Sequence, residues 1–458
     1  MSSTYDPSPH PKGMQSFWRN SPGHLDNFKS AEKVPSEIDI VVIGAGFSGA
    51  AIVTHLLRNP TYPWQTPSIL VLEARQLCSG ATGRNGGHLK PDSYALISTL
   101  ADKYGVDAAA EVAEFEAANV RAVTDFIREE EIDCDFVLTR AVDVQLNDEL
   151  QGVLERRYHG LIAAGVEATR STFCAPRKDA EQLSGVKGAK GMFSYTAGHV
   201  WPYKLIHNLF ASAISKGVHL HTHTPASSIS QNTDGTWTVY TSHGTTRAKK
   251  VIVVANAYTS SLLPEYKDKI IPYRGVVAHI KTPGPAPFLP NTYSLRFADW
   301  DFDYLIPRPD GSIIVGGARQ AYLRDEKEWY GNTDDSTVIE STRKYFDGYM
   351  QRHFLGWEKS GAYTADLWTG IMGYSADRLP RVGAVPGRDG VFIMGGFTGH
   401  GMPQVFLCAK GIADMVLGDV EFRHSGVPRL FEETEARLSD NRNAVDDIRR
   451  GASREAKL

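Results

Sequence analysis

The stretch Ile38-Asp39-Ile40-Val41-Val42-Ile43-Gly44-Ala45-Gly46-Phe47-Ser48-Gly49 begins as a β-branched run and ends in a glycine-rich turn. An apolar segment follows from Ala50 to Leu57, and a second short apolar run covers Ile69 to Leu72. This order predicts a strand, a tight turn, a helix and a second strand. Glu73 comes next, where a dinucleotide-binding βαβ unit has its acidic residue, about 20 residues after the glycines. The stretch therefore predicts a nucleotide-binding fold.

Each residue type in this turn has a physical role. Gly44 permits the turn, Gly46 lets the backbone approach a pyrophosphate, and Gly49 lets the helix pack closely on the strand. The start of the helix offers free N–H groups and the positive end of its dipole to the phosphates. Glu73 is expected to accept hydrogen bonds from the ribose hydroxyls, and its charge disfavours the 2′-phosphate of NADP.

Composition excludes several classes of protein. With 458 residues, the chain is too long for one simple core, so two domains are expected. A net charge of −4 gives no sign of the basic surface that binds nucleic acid, and no apolar run reaches the ~18 residues of a membrane span. The four cysteines are scattered without paired spacing, which suits a reducing compartment. His219, His221 and His223 alternate without a carboxylate or cysteine partner, so we predict a solvated strand face and no metal site.

A second glycine-rich segment follows the predicted ribose acid. Cys78 to His88 contains four glycines between Gly80 and Gly87, with small and polar residues among them. Such a backbone can lie flat against a ligand and donate N–H groups to it. The alternative interpretation is a flexible surface loop.

These residues carry a family resemblance. Glu73-Ala74-Arg75 followed by Ser79-Gly80-Ala81-Thr82-Gly83-Arg84-Asn85-Gly86-Gly87 resembles the flavin-contacting segment of D-amino-acid-oxidase-like (DAO) FAD-dependent oxidoreductases. The branch that contains γ-glutamylputrescine oxidase is the most similar in motif. Thr222 to Ile229 resembles a strand whose backbone, at the position of Ala226, contacts the adenine, and Val251 to Ala257 resembles the strand beneath the cofactor. Gly395 to Gly401 resembles the turn before a helix whose N-terminus faces the flavin N1.

The resemblance implies FAD rather than NAD as the cofactor. The residues that it assigns to cofactor binding are Gly44, Ala45, Gly46, Phe47, Ser48, Gly49, Glu73, Ala74, Arg75, Ser79, Gly80, Ala81, Thr82, Arg84, Asn85, Gly86, Gly87, Ala226, Ala255, Gly396, Thr398, Gly399, Gly401 and Met402. Relatives with covalent flavin have a cysteine in the segment matching Trp368 to Tyr374. This chain has none there, so we expect non-covalent FAD.

Candidate catalytic residues come from two segments. Tyr304-Leu305-Ile306-Pro307 resembles a strand whose tyrosine faces the substrate, and His400 lies in the C-terminal glycine turn. For His400 the alternatives are a proton carrier, a hydrogen-bond donor to the flavin, or a helix cap.

Aromatic and basic residues supply further candidates for the substrate site. Trp368 and Tyr374, together with Trp201, are predicted either to form an aromatic cage for a cationic amine or to lie in the core. Arginine side chains could anchor an anion or form surface ion pairs; the candidates are Arg274, Arg308, Arg378 and Arg381. Relatives that oxidise small amino acids often have a lysine after the Gly-His-Gly turn, whereas this chain continues with Met402-Pro403-Gln404. A carboxylate on the substrate is therefore in doubt.

The predicted fold is α/β, with a Rossmann-like FAD-binding domain and a discontinuous α+β substrate domain on a mixed sheet. The FAD-binding domain is predicted to take residues 36–101, 192–271 and 363–418, and the substrate domain 102–191 and 272–362. An N-terminal arm over the surface covers 1–35, and a charged tail covers 419–458. The substrate domain should begin with an amphipathic helix whose apolar side carries Val112, Phe115, Val123, Phe126 and Ile127.

The predicted function is oxidation of a small-molecule amine to an imine, which water then hydrolyses. Reoxidation by O2 with release of H2O2 is expected. Because Arg319 is the only cation in Ser312 to Arg319, where efficient oxidases of the family often keep a lysine, another acceptor is also open. The alternatives are a flavin-dependent dehydrogenase, a monooxygenase, for which a second nucleotide fingerprint is lacking, and a flavin-bound protein without activity.

The end of the chain predicts a location. Ala456-Lys457-Leu458 follows the pattern of the Ser-Lys-Leu peroxisomal address, which an import receptor reads when it is exposed. The preceding residues are mostly charged, and the single Val445 is not expected to bury the tail. We therefore expect a peroxisomal protein, with a cytoplasmic protein as the alternative.

Overall fold

The computed structural model describes residues 5–59, 67–299, 301–418 and 420–448. The strands are β1 Glu37–Ile43, β2 Ile69–Leu72, β3 His88–Leu89, β4 Val137–Gln145, β5 Phe173–Cys174, β6 Gly191–His199, β7 His219–His221, β8 Ala226–Gln231, β9 Trp237–Thr241, β10 Gly244–Val253, β11 Ile270–Lys281, β12 Thr292–Arg296, β13 Phe302–Pro307, β14 Ile313–Gly317, β15 Tyr363–Ser375, β16 Arg381–Ala384 and β17 Val391–Gly395. The α-helices are α1 Phe47–Arg58, α2 Ala95–Tyr104, α3 Val106–Glu129, α4 Asp148–Ala163, α5 Glu167–Arg170, α6 Ala180–Ser184, α7 Pro202–Ser215, α8 Arg319–Tyr322, α9 Glu326–Trp329, α10 Tyr349–His353, α11 Val405–Gly418 and α12 Glu435–Ser439.

The predicted fingerprint lies at the centre of the first sheet. Within the described residues this sheet has eight strands, in the order β16-β17-β10-β1-β2-β7, with β9 and β8 continuing from β10. Strands β17, β10, β1, β2 and β7 are parallel to one another, whereas β16 is antiparallel to β17 and β9 to β10. Helix α1 packs against α7 and α11, and these helices share one apolar core with Val42 and Ile252 of the sheet. This arrangement confirms the predicted Rossmann-like unit.

Glycine is required at two positions of the turn between β1 and α1. Gly44 has a φ of +122°, which L side chains rarely adopt, and a Cβ there would lie 2.8 Å from the carbonyl oxygen of Val254. A Cβ on Gly49 would overlap the carbonyl oxygen of Gly44. Both glycines therefore let α1 lie directly against the end of β1, as the sequence predicted.

The second sheet is mixed and larger. Its described strands follow the order β15-β11-β14-β13-β12-β4-β6-β3, with β5 beside β6. Strands β12 and β4 are parallel, whereas the other pairs are antiparallel. The mixed sheet confirms the predicted fold class. Helix α3 buries the five apolar residues predicted for its inner side.

Two strands predicted for the FAD-binding domain pair within the second sheet. Residues 192–199 and 363–375 were assigned to the FAD-binding domain, but β6 and β15 belong to the second sheet. Strand β6 pairs with β4 along its whole length, and β15 pairs with β11. Pairing between strands far apart in the chain leaves no local signal, so the motifs did not indicate which sheet these two strands join. The domain boundaries themselves stay a prediction.

The N-terminal arm does not lie only on the surface, as the sequence suggested. Trp18 and Leu25 are buried in the main apolar core. The Trp18 indole N–H donates a hydrogen bond to the carbonyl oxygen of Asn85, at 2.6 Å, and the Ser16 hydroxyl donates one to the carbonyl oxygen of Gly83. Large apolar side chains are stabilised by burial, and here they support the second glycine-rich segment.

The C-terminal tail is also more deeply packed than predicted. Val445 is fully buried, so the described part of the tail is anchored at this residue. Arg381 forms an ion pair with Glu433 in which both side chains are buried, with 2.9 Å between Nη1 and Oε1. The predicted peroxisomal address, Ala456 to Leu458, lies outside the described residues and stays a prediction. None of the described helices is long and apolar enough to cross a membrane.

We predict that Trp18→Ala lowers the free energy of unfolding by about 3–5 kcal/mol, the usual cost of deleting a buried aromatic side chain. Urea denaturation measures this loss. Trp18→Phe should retain most of the stability, since it keeps apolar bulk and loses only the hydrogen bond to Asn85. Tyr240→Ala, at a side chain that is largely exposed, serves as the control. Equal losses in Trp18→Ala and the control would contradict the buried role of the arm.

Candidate cofactor and active site

A large cavity lies between the two sheets. It has a volume of about 1240 Å³ and is lined by Gly44 and Glu73 from the first sheet and by Tyr304 and Met372 from the second. This volume exceeds the ~300–1,000 Å³ of a pocket for one ligand. The cavity therefore has room for a nucleotide cofactor together with a substrate.

Glu73 is held in place at the end of β2. Its Oε2 accepts a hydrogen bond from the backbone N–H of Ala45, and its Oε1 accepts one from the backbone N–H of Arg75, each at 3.0 Å. An ionised carboxylate has about four acceptor positions, so each oxygen can accept a further bond. The carboxylate is fixed on the cavity wall, in a position suited to a ribose.

Two arginines of the cofactor segments meet one buried carboxylate. Asp335 is fully buried and forms ion pairs with Arg75 at 2.8 Å and with Arg84 at 3.3 Å. Arg84 also donates hydrogen bonds to the carbonyl oxygens of Ser79, at 2.7 Å, and Thr369, at 2.8 Å. Both arginines line the cavity, and both fix the backbone around it.

Tyr304 is held between two glycines. A Cβ on Gly86 or on Gly316 would overlap the Tyr304 ring, so both glycines provide the space that the ring occupies. Burial raises the pKa of Tyr304 to about 12, which keeps the phenol neutral over the working pH range. The tyrosine thus presents a neutral, fixed side chain on the cavity wall.

His400 is paired with the carboxylate of Glu116, which lies 284 residues earlier in the chain. His400 Nε2 lies 2.9 Å from Glu116 Oε2. Glu116 is fully buried on α3, and it also accepts hydrogen bonds from the Gln404 side chain and the backbone N–H of Asp92, both at 2.7 Å. Burial opposes protonation of His400, but the Glu116 carboxylate outweighs this effect and raises the pKa of His400 above its ordinary value.

Comparison with known proteins decides the family. The DAO family, described as FAD dependent oxidoreductases, matches residues 39–415. The chain belongs to the DAO family. "Probable oxidoreductase OrdL" of Rhizobium meliloti is 26% identical over 388 residues, which is 83% of each chain. Gamma-glutamylputrescine oxidoreductase of Escherichia coli is 23% identical over 390 residues, 84% of each chain.

Solved structures show the same fold. Glycine oxidase from Geobacillus kaustophilus superposes with a TM-score of 0.66 at 19% identity, over 84% of this chain and 96% of that one. L-proline dehydrogenase from P. horikoshii gives a TM-score of 0.64 at 17% identity, over 87% and 96%. These matches and the family confirm the prediction of an FAD-dependent oxidoreductase of the DAO family, and the similarity to the E. coli enzyme agrees with the predicted branch.

The cavity fits the FAD of this family. Gly46, at the N-terminus of α1, lines the cavity, and a Cβ there would meet Thr82 Oγ1 at 3.0 Å, so only backbone reaches the cavity wall at this helix N-terminus. In the described part of the chain, the Tyr258 hydroxyl lines the cavity, is buried and has no hydrogen-bond partner. A buried hydroxyl without a partner indicates a ligand or a water at that point. Glu73, Gly46 and Tyr258 would hold FAD at three separate places.

Most of the DAO residues predicted from the sequence do line the cavity. Those that do are Gly44, Gly46, Phe47, Ser48, Glu73, Ala74, Arg75, Gly80, Ala81, Thr82, Arg84, Asn85, Gly86, Ala226, Ala255, Tyr304, Tyr374, Thr398, Gly399, His400, Gly401 and Met402. Ala45, Gly49, Ser79, Gly87 and Gly396 lie behind this wall, where they shape the backbone. The role of each residue toward the cofactor stays a prediction.

The predicted aromatic cage does not form. Trp368 is fully buried, and its indole N–H donates a hydrogen bond to the carbonyl oxygen of Arg84 at 2.8 Å. The Trp201 indole N–H donates to the carbonyl oxygen of Trp18. Of the three predicted residues, only Tyr374 lines the cavity. Trp368 instead supports the second glycine-rich segment, and Trp201 supports the N-terminal arm. The predicted substrate role of Trp368 was wrong.

Three of the four candidate anion anchors lie in ion pairs away from the cavity. Arg274 pairs with Glu328, Arg308 with Asp135, and Arg381 with Glu433. Only Arg378 lines the cavity. The sequence did not indicate Lys90 and Arg296 on the cavity wall, nor Glu116 behind His400. Glu116 lies four residues after Val112, on the apolar side of α3, so a charge on that side was the available signal.

We predict that Glu116→Gln lowers the pKa of His400. The substitution removes the carboxylate that raises this pKa and leaves the burial that lowers it. Protonated His400 stabilises the wild type fully below the ordinary histidine pKa near 6.5, and this contribution disappears as the pH rises through the raised value. The free energy of unfolding should therefore fall by about 1.5–3 kcal/mol below pH 6, the worth of a hydrogen bond to a charged group, and by less at pH 9.

Urea denaturation across this pH range measures the difference. Glu129→Gln, at an exposed position on the same helix, is the control and should show no such pH dependence. A Glu116→Gln effect that is equal at every pH would mean that the carboxylate does not control the charge of His400.

Proposed function

We propose that this DAO protein oxidises an amine by removing a hydride from the carbon next to nitrogen, giving an imine that water hydrolyses. When bound, FAD accepts the hydride and its two electrons. The carrying observation is that Tyr304 lines the same cavity as Glu73 and the C-terminal glycine turn. A substrate beside Tyr304 is therefore held next to the cofactor site, in the close approach that hydride transfer requires.

The names of the relatives support an amine or amino acid as substrate. The E. coli relative is named for γ-glutamylputrescine, and the structural relative from Geobacillus kaustophilus is named for glycine. The volume of about 1240 Å³ and the Met402-Pro403-Gln404 sequence in place of a lysine favour an amine larger than a simple amino acid. O2 is the proposed acceptor, with H2O2 as its product.

Tyr304, Tyr374 and Phe302 form the aromatic part of the substrate wall. The Tyr374 hydroxyl accepts a hydrogen bond from Arg319 at 3.0 Å, and its ring stacks on Tyr273 with 4.3 Å between centroids. These contacts fix the wall before substrate binds, so the protein orients the reacting carbon with little loss of side-chain entropy.

An anaerobic panel of polyamines, N-alkyl amines and amino acids tests this proposal through loss of flavin absorbance. We expect larger amines to reduce the enzyme fastest, and Tyr304→Phe to slow reduction about 10-fold or more while FAD remains bound. Repeating the reaction in air, with detection of H2O2, tests the acceptor. Rapid reduction by glycine, sarcosine and proline alone would contradict the proposed size of the substrate, and no reduction by any amine would contradict the activity.

We further propose that FAD is bound non-covalently. None of the described cysteines lines the cavity, since Cys78, Cys134 and Cys408 are buried elsewhere and Cys174 is on a distant strand of the second sheet. The histidines on the cavity wall are His88 and His400. Burial lowers the pKa of His88 well below its ordinary value.

Acid precipitation of the purified protein should release all of the yellow flavin into the supernatant. Flavin that remains in the pellet would show covalent attachment. In that case His88→Ala and His400→Ala, compared side by side, would identify the attachment point, because only one of the two variants would then release its flavin.

A further inference from the structure

The N-terminal arm contributes to the cavity wall from outside the family match. The DAO family matches residues 39–415, yet Ser8, Pro9 and Pro11 line the same cavity as Glu73 and Tyr304. These three residues belong to the segment 8–13 of the arm, which we call the strap. Membership of the family therefore does not account for this part of the wall.

The strap lies at the end of the cavity that carries the ribose acid. Arg75 Nη1 donates a hydrogen bond to the carbonyl oxygen of His10 in the strap, at 3.0 Å. Arg75 follows Glu73 by two residues, and its backbone N–H donates to the Glu73 carboxylate. Because Glu73 is placed to bind a ribose, the strap passes the side of the cavity where the adenosine half of FAD would lie.

At Gly13 the strap lies directly on the ion-pair cluster of the cofactor segments. A Cβ on Gly13 would lie 2.5 Å from Arg75 Nη1, 2.6 Å from Arg84 Nη2 and 2.7 Å from Asp335 Oδ1. All three separations are far inside van der Waals contact. The backbone of the strap therefore touches the same three side chains that fix the backbone around the cofactor site.

The strap is held on both sides. Before it, the carbonyl oxygen of Asp6 accepts a hydrogen bond from the Thr333 hydroxyl, at 3.0 Å. After it, the N–H of Met14 donates to the carbonyl oxygen of Asp335, at 2.8 Å, and the Arg84 guanidinium donates to the carbonyl oxygen of Met14. A segment that is fixed at both ends crosses the cavity rim in one defined path.

The strap has one side in water and one side on the cavity. Ser8 and Pro11 are exposed although they line the cavity, and Pro9 between them is half-buried. The proline rings offer apolar surface to a ligand, and their fixed φ angles reduce the entropy lost when the segment is ordered. Such a segment is suited to covering a ligand that already lies in the cavity.

We propose that the strap is a further FAD-binding element, which closes over the adenosine half of the cofactor and slows its release. Pro9 and Pro11 would bury apolar surface against the adenosine, while the bond from Arg75 to His10 holds the strap in place. Release of FAD then requires the strap to lift as a local opening of the structure. This inference goes beyond the proposed amine oxidation and does not depend on it.

The first test measures the rate of FAD release. The holoenzyme is diluted strongly, and the rise of flavin fluorescence follows the cofactor as it leaves the protein. We expect deletion of residues 2–13 to speed release about 10-fold, the effect of losing the burial of about two methylene groups. The deletion retains Ser16 and Trp18, the buried part of the arm, and thermal unfolding of the variant is checked first.

A substitution tests the same point in a chain of full length. Gly13→Ala places a Cβ against the ion-pair cluster and should displace the strap, so it should also speed FAD release. Gly160→Ala is the matched control, because a Cβ there meets no atom within 4 Å, and it should release FAD as the wild type does. Faster release from Gly13→Ala with unchanged release from the deletion would mean that the ion-pair cluster is disturbed, and would overturn the role of the strap.

ADP shows which half of the cofactor the strap covers, since it carries the adenosine and lacks the flavin. It is titrated into the apoproteins and followed by calorimetry. The deletion should weaken ADP binding about 10-fold, in line with its effect on FAD release. ADP that binds equally to both apoproteins, or to neither, overturns the placement of the strap over the adenosine.

The second test measures the strap itself by amide hydrogen exchange. Because coupling between two binding events is reciprocal, a strap that slows FAD release must open less often when FAD is bound. Exchange of the strap amides should therefore be about 10-fold slower in the holoenzyme than in the apoprotein. Helix α5, which does not line the cavity, is the control and should exchange equally in both.

The outcomes separate this inference from the proposed function. Equal FAD release from wild type and deletion overturns the strap, and so does strap exchange that FAD leaves unchanged. None of these measurements uses an amine or needs turnover. A strap that controls FAD release in a protein that no amine reduces would stand without the proposed oxidation, and amine oxidation with unaltered FAD release would stand without the strap.

Discussion

The buried carboxylate of Asp335 is the contact on which the cofactor end of the cavity depends. It pairs with Arg75, which follows the ribose acid, and with Arg84, in the second glycine-rich segment. The backbone carbonyl oxygen of Asp335 also accepts a hydrogen bond from the N–H of Met14 in the arm, at 2.8 Å. Removing one partner from a buried ion pair typically costs about 3–5 kcal/mol, because the other charge is left uncompensated. Three segments distant in sequence are thereby held in one arrangement.

The substrate end depends on close packing. The Tyr304 ring fits between Gly86 and Gly316 only because neither has a side chain. Gly86 belongs to the cofactor segment and Gly316 to β14, so one aromatic ring connects the cofactor segment with the second sheet. Such a ring has little freedom to move, which suits a reaction that needs the substrate carbon at a defined distance from the cofactor.

Electrostatics divides the cavity into regions. Glu116 favours the charged form of His400 at the C-terminal glycine turn, where a helix N-terminus also presents partial positive charge. Tyr304 stays neutral, while Lys90 and Arg296 supply a positive region farther along the same wall. A reduced flavin is anionic, so the positive charge near the C-terminal glycine turn would stabilise it.

The sequence by itself determined the nucleotide-binding unit, the family and most of the cavity wall. The reason is that Gly44, Gly46, Gly49 and Glu73 act within one local βαβ unit, where spacing along the chain sets position in space. Helix α3 was likewise predictable from its apolar side. These features depend on local conformation, which the order of neighbouring residues determines.

Only the tertiary structure decided which charges face the cavity. Lys90, Glu116 and Arg296 lie far apart in sequence, and pairing of β3, β6, β4 and β12 brings Lys90 and Arg296 to one wall. The same long-range packing placed Trp368 beneath Arg84 and buried Val445, against expectation. The sequence around an arginine in a strand does not indicate whether the side chain forms an ion pair or faces a ligand site. That distinction depends on which acceptors the folded chain brings within hydrogen-bonding distance, and for Arg296 it brings almost none.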